Sequence, residues 1–356
     1  MENLSDLRTV HLEASSKCNA RCPMCSRYTA EGFVQPGLNE VNLEPDVFYK
    51  FFTVDIAKQL EYVYISGVYG DPCMNPHLIE YSQYLINHGV NVTIDSNSGF
   101  RNSKWWEALA LTGVTVNFTV DGFKDTNSIY RRNVKWEVVE ANMRAFSNAG
   151  GKGIWNFIAF EHNEHDISAA EELANELNFD FNIKVTQKFR NLKEWKVVED
   201  GTYLYTIRPP KNSAIRHPNI GSDEHIITRA PSKFDFKQAY ESTKLATISC
   251  QTKKRNELYL TSNGLVLPCC WLATYEHDSF MFVKQFRDQH DLNKFDLHHH
   301  TLLEAFNAQT EIYSTFDKSF ENGRLLMCNA ICDTKASEIV FYLDKETNTL
   351  IDFPKE

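Results

Sequence analysis

The chain has 356 residues, enough for one large domain and a smaller one. Hydrophobic residues at 42% and charged residues at 24% are ordinary globular proportions that allow more than one buried core. The net charge of −10 argues against a general nucleic-acid binder, while leaving room for a local basic groove. No stretch reaches the roughly 18 to 20 apolar residues of a membrane helix. The first ten residues, MENLSDLRTV, lack the basic start and apolar core of a signal peptide. The expectation is a soluble, cytoplasmic protein without a membrane partner.

In chain order, short apolar runs alternate with amphipathic ones. Strands are predicted at 9–14, 62–66, 91–95, 115–120, 154–160 and 182–186. Helices are predicted between them at 44–59, 77–88, 104–111, 135–148 and 167–177. This alternation implies parallel βαβ units with right-handed crossovers, and about six of them give a curved, incomplete barrel. Ligands of such sheets sit at the carboxyl ends of the strands. From 189 to 246 the pattern loosens, with Arg208-Pro-Pro-Lys211, His217-Pro218 and Ala230-Pro231 breaking any long element. A hairpin is expected at 257–267 around Ser262-Asn263-Gly264, a helix at 302–316, and a last hairpin from 339–343 and 350–353 around Glu346-Thr347-Asn348. The predicted domains are a partial barrel over 1–188, a linker or substrate loop over 189–245, and a small domain over 246–356.

The nine cysteines are clustered: Cys18, Cys22 and Cys25 at one end, Cys250, Cys269, Cys270, Cys328 and Cys332 at the other, with Cys73 apart. Without a secretory signal, clustered thiols read as metal ligands or catalytic groups rather than disulfides. The first predicted strand runs into Cys18-Asn-Ala-Arg-Cys22-Pro-Met-Cys25, which offers three thiolates from one loop. Three ligands to a four-iron cubane leave one iron open, whereas structural clusters usually take four cysteines. A zinc knuckle completed by a distant ligand is the competing reading.

This Cys-x3-Cys-x2-Cys loop after a first strand resembles the radical S-adenosylmethionine superfamily. The resemblance implies a [4Fe–4S] cluster on Cys18, Cys22 and Cys25 whose open iron binds S-adenosylmethionine. One-electron reduction, by a donor such as flavodoxin or ferredoxin, then cleaves the cofactor to a 5′-deoxyadenosyl radical that abstracts a substrate hydrogen. Met24 fits the apolar position near the adenine, or is a plain core methionine. Gly67-Val-Tyr-Gly70-Asp71-Pro72 resembles the family's Gly-Gly-Glu turn, with Asp71 for the usual Glu and Tyr69 for the first Gly. Gly70 would let the backbone approach the methionine moiety, and Asp71 would accept hydrogen bonds from its ammonium. Ser96-Asn97-Ser98-Gly99 is similar to Thr-Asn-Gly, and Thr119-Val-Asp121-Gly122 to Ser-x-Asp-Gly, so Asn97, Thr119 and Asp121 are candidate cofactor contacts. Turn formation alone also explains both segments. Cys73 is either a hydrogen or proton donor at the rim or a small buried hydrophobe. His162 with His165, and His298-His299-His300, read as surface residues rather than a metal site.

Cys250 is followed by 13 residues, Gly264, four residues and Cys269, which resembles the opening of a SPASM or twitch extension. Five cysteines suit one auxiliary cluster, the twitch arrangement, with Cys250, Cys269, Cys328 and Cys332 as ligands and Cys270 as the spare on the other strand face. A structural zinc site uses the same ligands. The implied fold is a partial (β/α)6 barrel followed by a small C-terminal twitch domain of β-hairpin plus helix. The implied activity is oxidation or cross-linking of a peptide or small molecule, an oxidoreductase or maturase chemistry. Alternatives are a nucleic-acid-modifying radical enzyme, for which Lys253-Lys254-Arg255 and Arg131-Arg132 are the hints, and a non-enzymatic metal-binding module.

Overall fold

The computed structural model describes residues 1, 3–186, 189, 192–216, 247–273, 281–316, 318, 323–332, 342–343 and 350–351. Six parallel strands, β1 (Thr9–Leu12), β2 (Tyr62–Ile65), β3 (Asn91–Ser96), β4 (Thr115–Thr119), β5 (Lys152–Ile158) and β6 (Asp180–Lys184), pair in sequence order. Alternation builds two unlike faces. Val10, Leu12, Val63, Ile65, Ile94, Val116 and Phe118 are buried toward the helices, with Phe118 against Trp106 at 5.6 Å. His11, Tyr64, Asp95 and Asn117 occupy the opposite, concave face, where Asp95 accepts from Asn117 at 2.6 Å and from the Tyr64 hydroxyl. The barrel is therefore partial and α/β, with a polar lumen.

The helices fall where expected, with local differences. The span 44–59 is two helices, α1 (Pro45–Phe51) and α2 (Val54–Gln59), because the Thr53 hydroxyl accepts the Ile56 N–H at 3.3 Å and starts a new helix. Helices α3 (Leu78–Asn87) and α4 (Ser103–Ala110) follow β2 and β3. A short helix, α5 (Asn127–Tyr130), precedes α6 (Trp136–Asn148), and α7 (Ile167–Glu176) follows β5.

The loosened span contains structure that its prolines conceal. Strands β7 (Trp195–Glu199) and β8 (Thr202–Ile207) form an antiparallel hairpin. Asp200 and Gly201 turn it with φ of 47° and 81°, the mirror-type turn that Asp-Gly favours. His217-Pro218 and Ala230-Pro231 lie outside the described residues.

The expected C-terminal hairpin is present as β9 (Glu257–Leu260) and β10 (Val266–Leu267), and it continues the barrel sheet because β9 pairs in parallel with β1. Helices at Met281–Gln289, Leu302–Tyr313 and Leu326–Cys332 follow. Tyr259, Leu267, Leu272, Phe286, Phe295, Ile312 and Met327 form a second apolar core, distinct from the barrel's. The last hairpin is β11 (Tyr342–Leu343) with β12 (Leu350–Ile351), and its turn at 346–348 lies outside the described residues. Among the described residues, no helix is long and apolar enough to cross a membrane.

Candidate cluster and cofactor site

Strand β1 delivers the cysteine loop to the carboxyl end of the sheet. The loop folds back on itself: Leu43 N–H bonds Ala14 O at 2.9 Å, and Ser16 N–H bonds Val41 O at 2.9 Å. The buried Arg27 guanidinium donates to Ser16 O at 2.5 Å and to Tyr69 O at 3.2 Å, pinning the loop to the turn after β2. Glu13, just before the loop and 2% exposed, accepts Tyr69 N–H at 3.1 Å and the Ser262 hydroxyl at 3.2 Å. It joins cysteine loop, glycine turn and β9–β10 turn. Gly70 is required by close approach: a Cβ there would stand 2.0 Å from Ser15 O and 2.7 Å from Lys17 O.

Two of the three sulfurs receive N–H donors. Cys18 Sγ accepts from Ala20 N–H at 3.4 Å and lies 3.9 Å from the Asn97 amide nitrogen. Cys22 Sγ lies 3.8 Å from Arg131 Nη1. Burial pushes the Cys22 thiol up to about 11 against the pull of Arg131, and burial, with the nearby Asp71 charge, raises Cys18 as well. Thiols held this way ionise by gaining a metal, which makes metal loading and proton release one event. Soft thiolates with N–H donors on sulfur fit an iron–sulfur cluster. Among the described residues, no three His, Cys, Asp or Glu side chains converge on a single ion position.

The two side-chain donors, Asn97 and Arg131, are each held by a buried carboxylate. Asp71, 5% exposed, accepts Cys73 N–H at 3.0 Å, the Ser96 hydroxyl at 3.0 Å, Asn97 N–H at 2.8 Å and the Asn97 side-chain amide at 2.7 Å. A carboxylate offers about four acceptor positions, so these four donors fill it. The group that the motif pattern assigns to the cofactor's ammonium is thus engaged by the protein, and its geometry bears on the cysteine loop through Asn97. Asp121, fully buried, accepts Arg131 Nε at 2.6 Å and Ile158 N–H at 2.7 Å. Arg131 stays charged: burial opposes the charge, and Asp121 and Cys22 more than offset that.

The remaining candidates are placed as follows. Met24 is 4% exposed within the barrel core, and Thr119 ends β4 half-buried. Cys73 has no exposed surface; its thiol bonds the Ser96 hydroxyl at 3.3 Å, and burial holds it well above its ordinary range. His162 stacks on Phe160 at 5.2 Å and is depressed to about 4 by burial, so it is neutral at pH 7. His298 bonds Asp296 at 2.7 Å, partly exposed. Sequence reading missed Glu13, Arg27 and Arg131. The signal for Arg131 was its place shortly after the Thr-x-Asp-Gly turn.

At the other end, Cys250, Cys269, Cys270, Cys328 and Cys332 all line one cavity of about 620 Å³, which His11, Tyr64 and Asn117 of the lumen also line. Cys250 occupies the N-cap position of the short helix at Gln251–Lys254 and is drawn down, first by the Cys332 thiol and then by the Thr252 hydroxyl and backbone N–H groups. Burial raises Cys269, which also feels the Cys328, Cys270 and Cys250 charges, and burial followed by the Cys250 charge raises Cys328. Burial and then Glu257 raise Cys270 to about 11.

A partial parallel barrel with a three-thiol loop at its carboxyl end is the arrangement that the Cys-x3-Cys-x2-Cys resemblance implies. Residues 12–174, just under half of the chain, match the family model described as the Radical SAM superfamily. A tungsten-containing aldehyde ferredoxin oxidoreductase cofactor-modifying protein of Pyrococcus furiosus is 27% identical over 118 residues, covering 32% of this chain and 31% of that relative. The chain thus matches about a third of the relative's length. Among solved structures, Streptococcus suis SuiB bound to its precursor peptide SuiA superposes with a TM-score of 0.50 at 14% identity, over 84% of this chain and 64% of SuiB. An anSMEcpe structure with bound AdoMet gives 0.48 at 15% identity, over 87% and 81%. At this identity the SuiB likeness speaks to fold alone.

Proposed function

We propose that the chain is a radical S-adenosylmethionine enzyme that oxidises or cross-links a peptide or small molecule. The observation that carries this is the Cys18–Cys22–Cys25 loop with N–H donors on two of its sulfurs. A [4Fe–4S] cluster and S-adenosylmethionine, when bound, would supply one-electron reductive cleavage of the cofactor, with flavodoxin or ferredoxin as the reductant class. The protein binds, orients and excludes water. In this reading Cys18, Cys22 and Cys25 hold the cluster, while Met24, Gly70, Asn97 and Thr119 lie on the cofactor side. Asp71 and Asp121 hold Asn97 and Arg131 in place, and Cys73 belongs to the core.

Cys250, Cys269, Cys328 and Cys332 would hold one auxiliary cluster in the C-terminal cavity, the twitch arrangement, with Cys270 as the spare, although it lines the same cavity from a 3-10 helix (Cys270–Ala273) rather than from the other face of a strand. The second apolar core supports a C-terminal unit over 246–356, after the barrel and the 189–245 segment, joined to the barrel by β9, which pairs with β1 and packs Leu258 and Leu260 into the barrel core. An electron acceptor opening onto a polar lumen suits loss of an electron and a proton from a substrate radical. The hints of a nucleic-acid groove weaken, because Arg131 and Arg132 are ion-paired with Asp121 and Glu199.

Mass spectrometry of cell extract incubated anaerobically with the reduced protein and S-adenosylmethionine tests the substrate class. A peptide or small molecule lighter by two hydrogens is expected. A modified nucleic acid with no such product would refute the reading. Asp71→Ala releases the Asn97 amide, so affinity for S-adenosylmethionine should fall about tenfold with iron content intact. Unchanged affinity by equilibrium binding would reduce the turn to a structural role.

A further inference from the structure

Resting on that cluster reading, we infer that Arg131, held by Asp121, tunes the reduction potential of the N-terminal cluster through Cys22. The guanidinium bridges two partners: Nε donates to Asp121 Oδ2 at 2.6 Å, and Nη1 lies 3.8 Å from Cys22 Sγ. Arg131 is 14% exposed and Asp121 not at all, so water screens the pair little. Local structure fixes the arrangement. Arg131 closes α5, its N–H bonded to Asn127 O at 2.7 Å, while Asp121 N–H bonds the Asn127 side chain at 2.9 Å. The other Asp121 oxygen is tied to β5 through Ile158 N–H at 2.7 Å. The carboxylate therefore cannot swing, and the cation is aimed at one sulfur.

Reduction adds a negative charge to a cluster. A fixed cation beside a ligand sulfur stabilises the reduced form, and hydrogen bonds to sulfur act in the same direction. Asp121 cancels part of this at longer range and leaves a dipole whose positive end faces Cys22. Arg131 thus makes the cluster easier to reduce by a weak biological donor.

The test is a potentiometric titration followed by electron paramagnetic resonance, without S-adenosylmethionine, on the full chain after iron and sulfide analysis. Arg131→Met should load iron fully and titrate more negative. At the wild-type midpoint its reduced-to-oxidised ratio should fall about tenfold, equivalent to about 59 mV for one electron. Arg131→Lys keeps the charge and should stay near wild type. If the Met variant fails to load iron, Arg131→Gln replaces it, keeping an N–H without the charge and shifting the same way. An uncharged, loaded variant at wild-type potential overturns the inference. So does a Lys variant that titrates like the Met variant, or failure of all three to load when wild type does, which would assign Arg131 to building the loop. A wild-type chain that takes up no N-terminal cluster is a different result and sinks the cluster reading itself.

Discussion

Changing Cys18, Cys22 and Cys25 together to Ala reduces formation of 5′-deoxyadenosine from S-adenosylmethionine to background. The three thiols are the loop's only cysteines, and their neighbours offer N–H groups rather than substitute ligands. Metal affinity here depends on deprotonating the loop's thiols, so removing all three removes the site rather than weakening it. The fold should survive. The loop is anchored by Ser16, Arg27 and Leu43 backbone and side-chain bonds that involve no cysteine sulfur, and only Cys22 among the three is buried. Circular dichroism should therefore match wild type while iron drops by about four atoms per chain. Turnover retained in the triple variant contradicts the assignment.

The second large effect separates the two cysteine groups. With Cys250, Cys269, Cys328 and Cys332 all changed to Ala, iron should fall by about one four-iron cluster. These thiols line a cavity walled by the C-terminal core, while the N-terminal loop sits at the carboxyl end of β1. Reductive cleavage of S-adenosylmethionine should then persist without a modified product, because the proposed electron acceptor is gone. A zinc site predicts otherwise: zinc in the wild type and no iron lost on mutation. Metal analysis of anaerobically purified wild type and variant decides, and a full iron complement in the variant would rule out the auxiliary cluster.

Strand order and nearly every barrel element were legible because β1 to β5 each carry a buried apolar face and end in turn residues; β6, expected at 182–186, lies at Asp180–Lys184 and buries none of its residues fully. The β7–β8 hairpin was not, since Thr202, Tyr203 and Leu204 are exposed and its strands show no buried alternation. Asp200-Gly201 was the available signal. Residue types at the site could be read, but their partners could not. Asp71 finds its donors 25 and 26 positions away at Ser96 and Asn97, where the β2–β3 register places them. The role of Arg131 likewise appears only when α5 brings it to Cys22.

The most direct test of the central claim uses the wild-type chain, reconstituted anaerobically, reduced with dithionite and incubated with S-adenosylmethionine. Mass spectrometry should find 5′-deoxyadenosine and methionine, formed only when both reductant and cofactor are present. A chain whose N-terminal cluster is loaded and reduced, yet yields no 5′-deoxyadenosine, would contradict it.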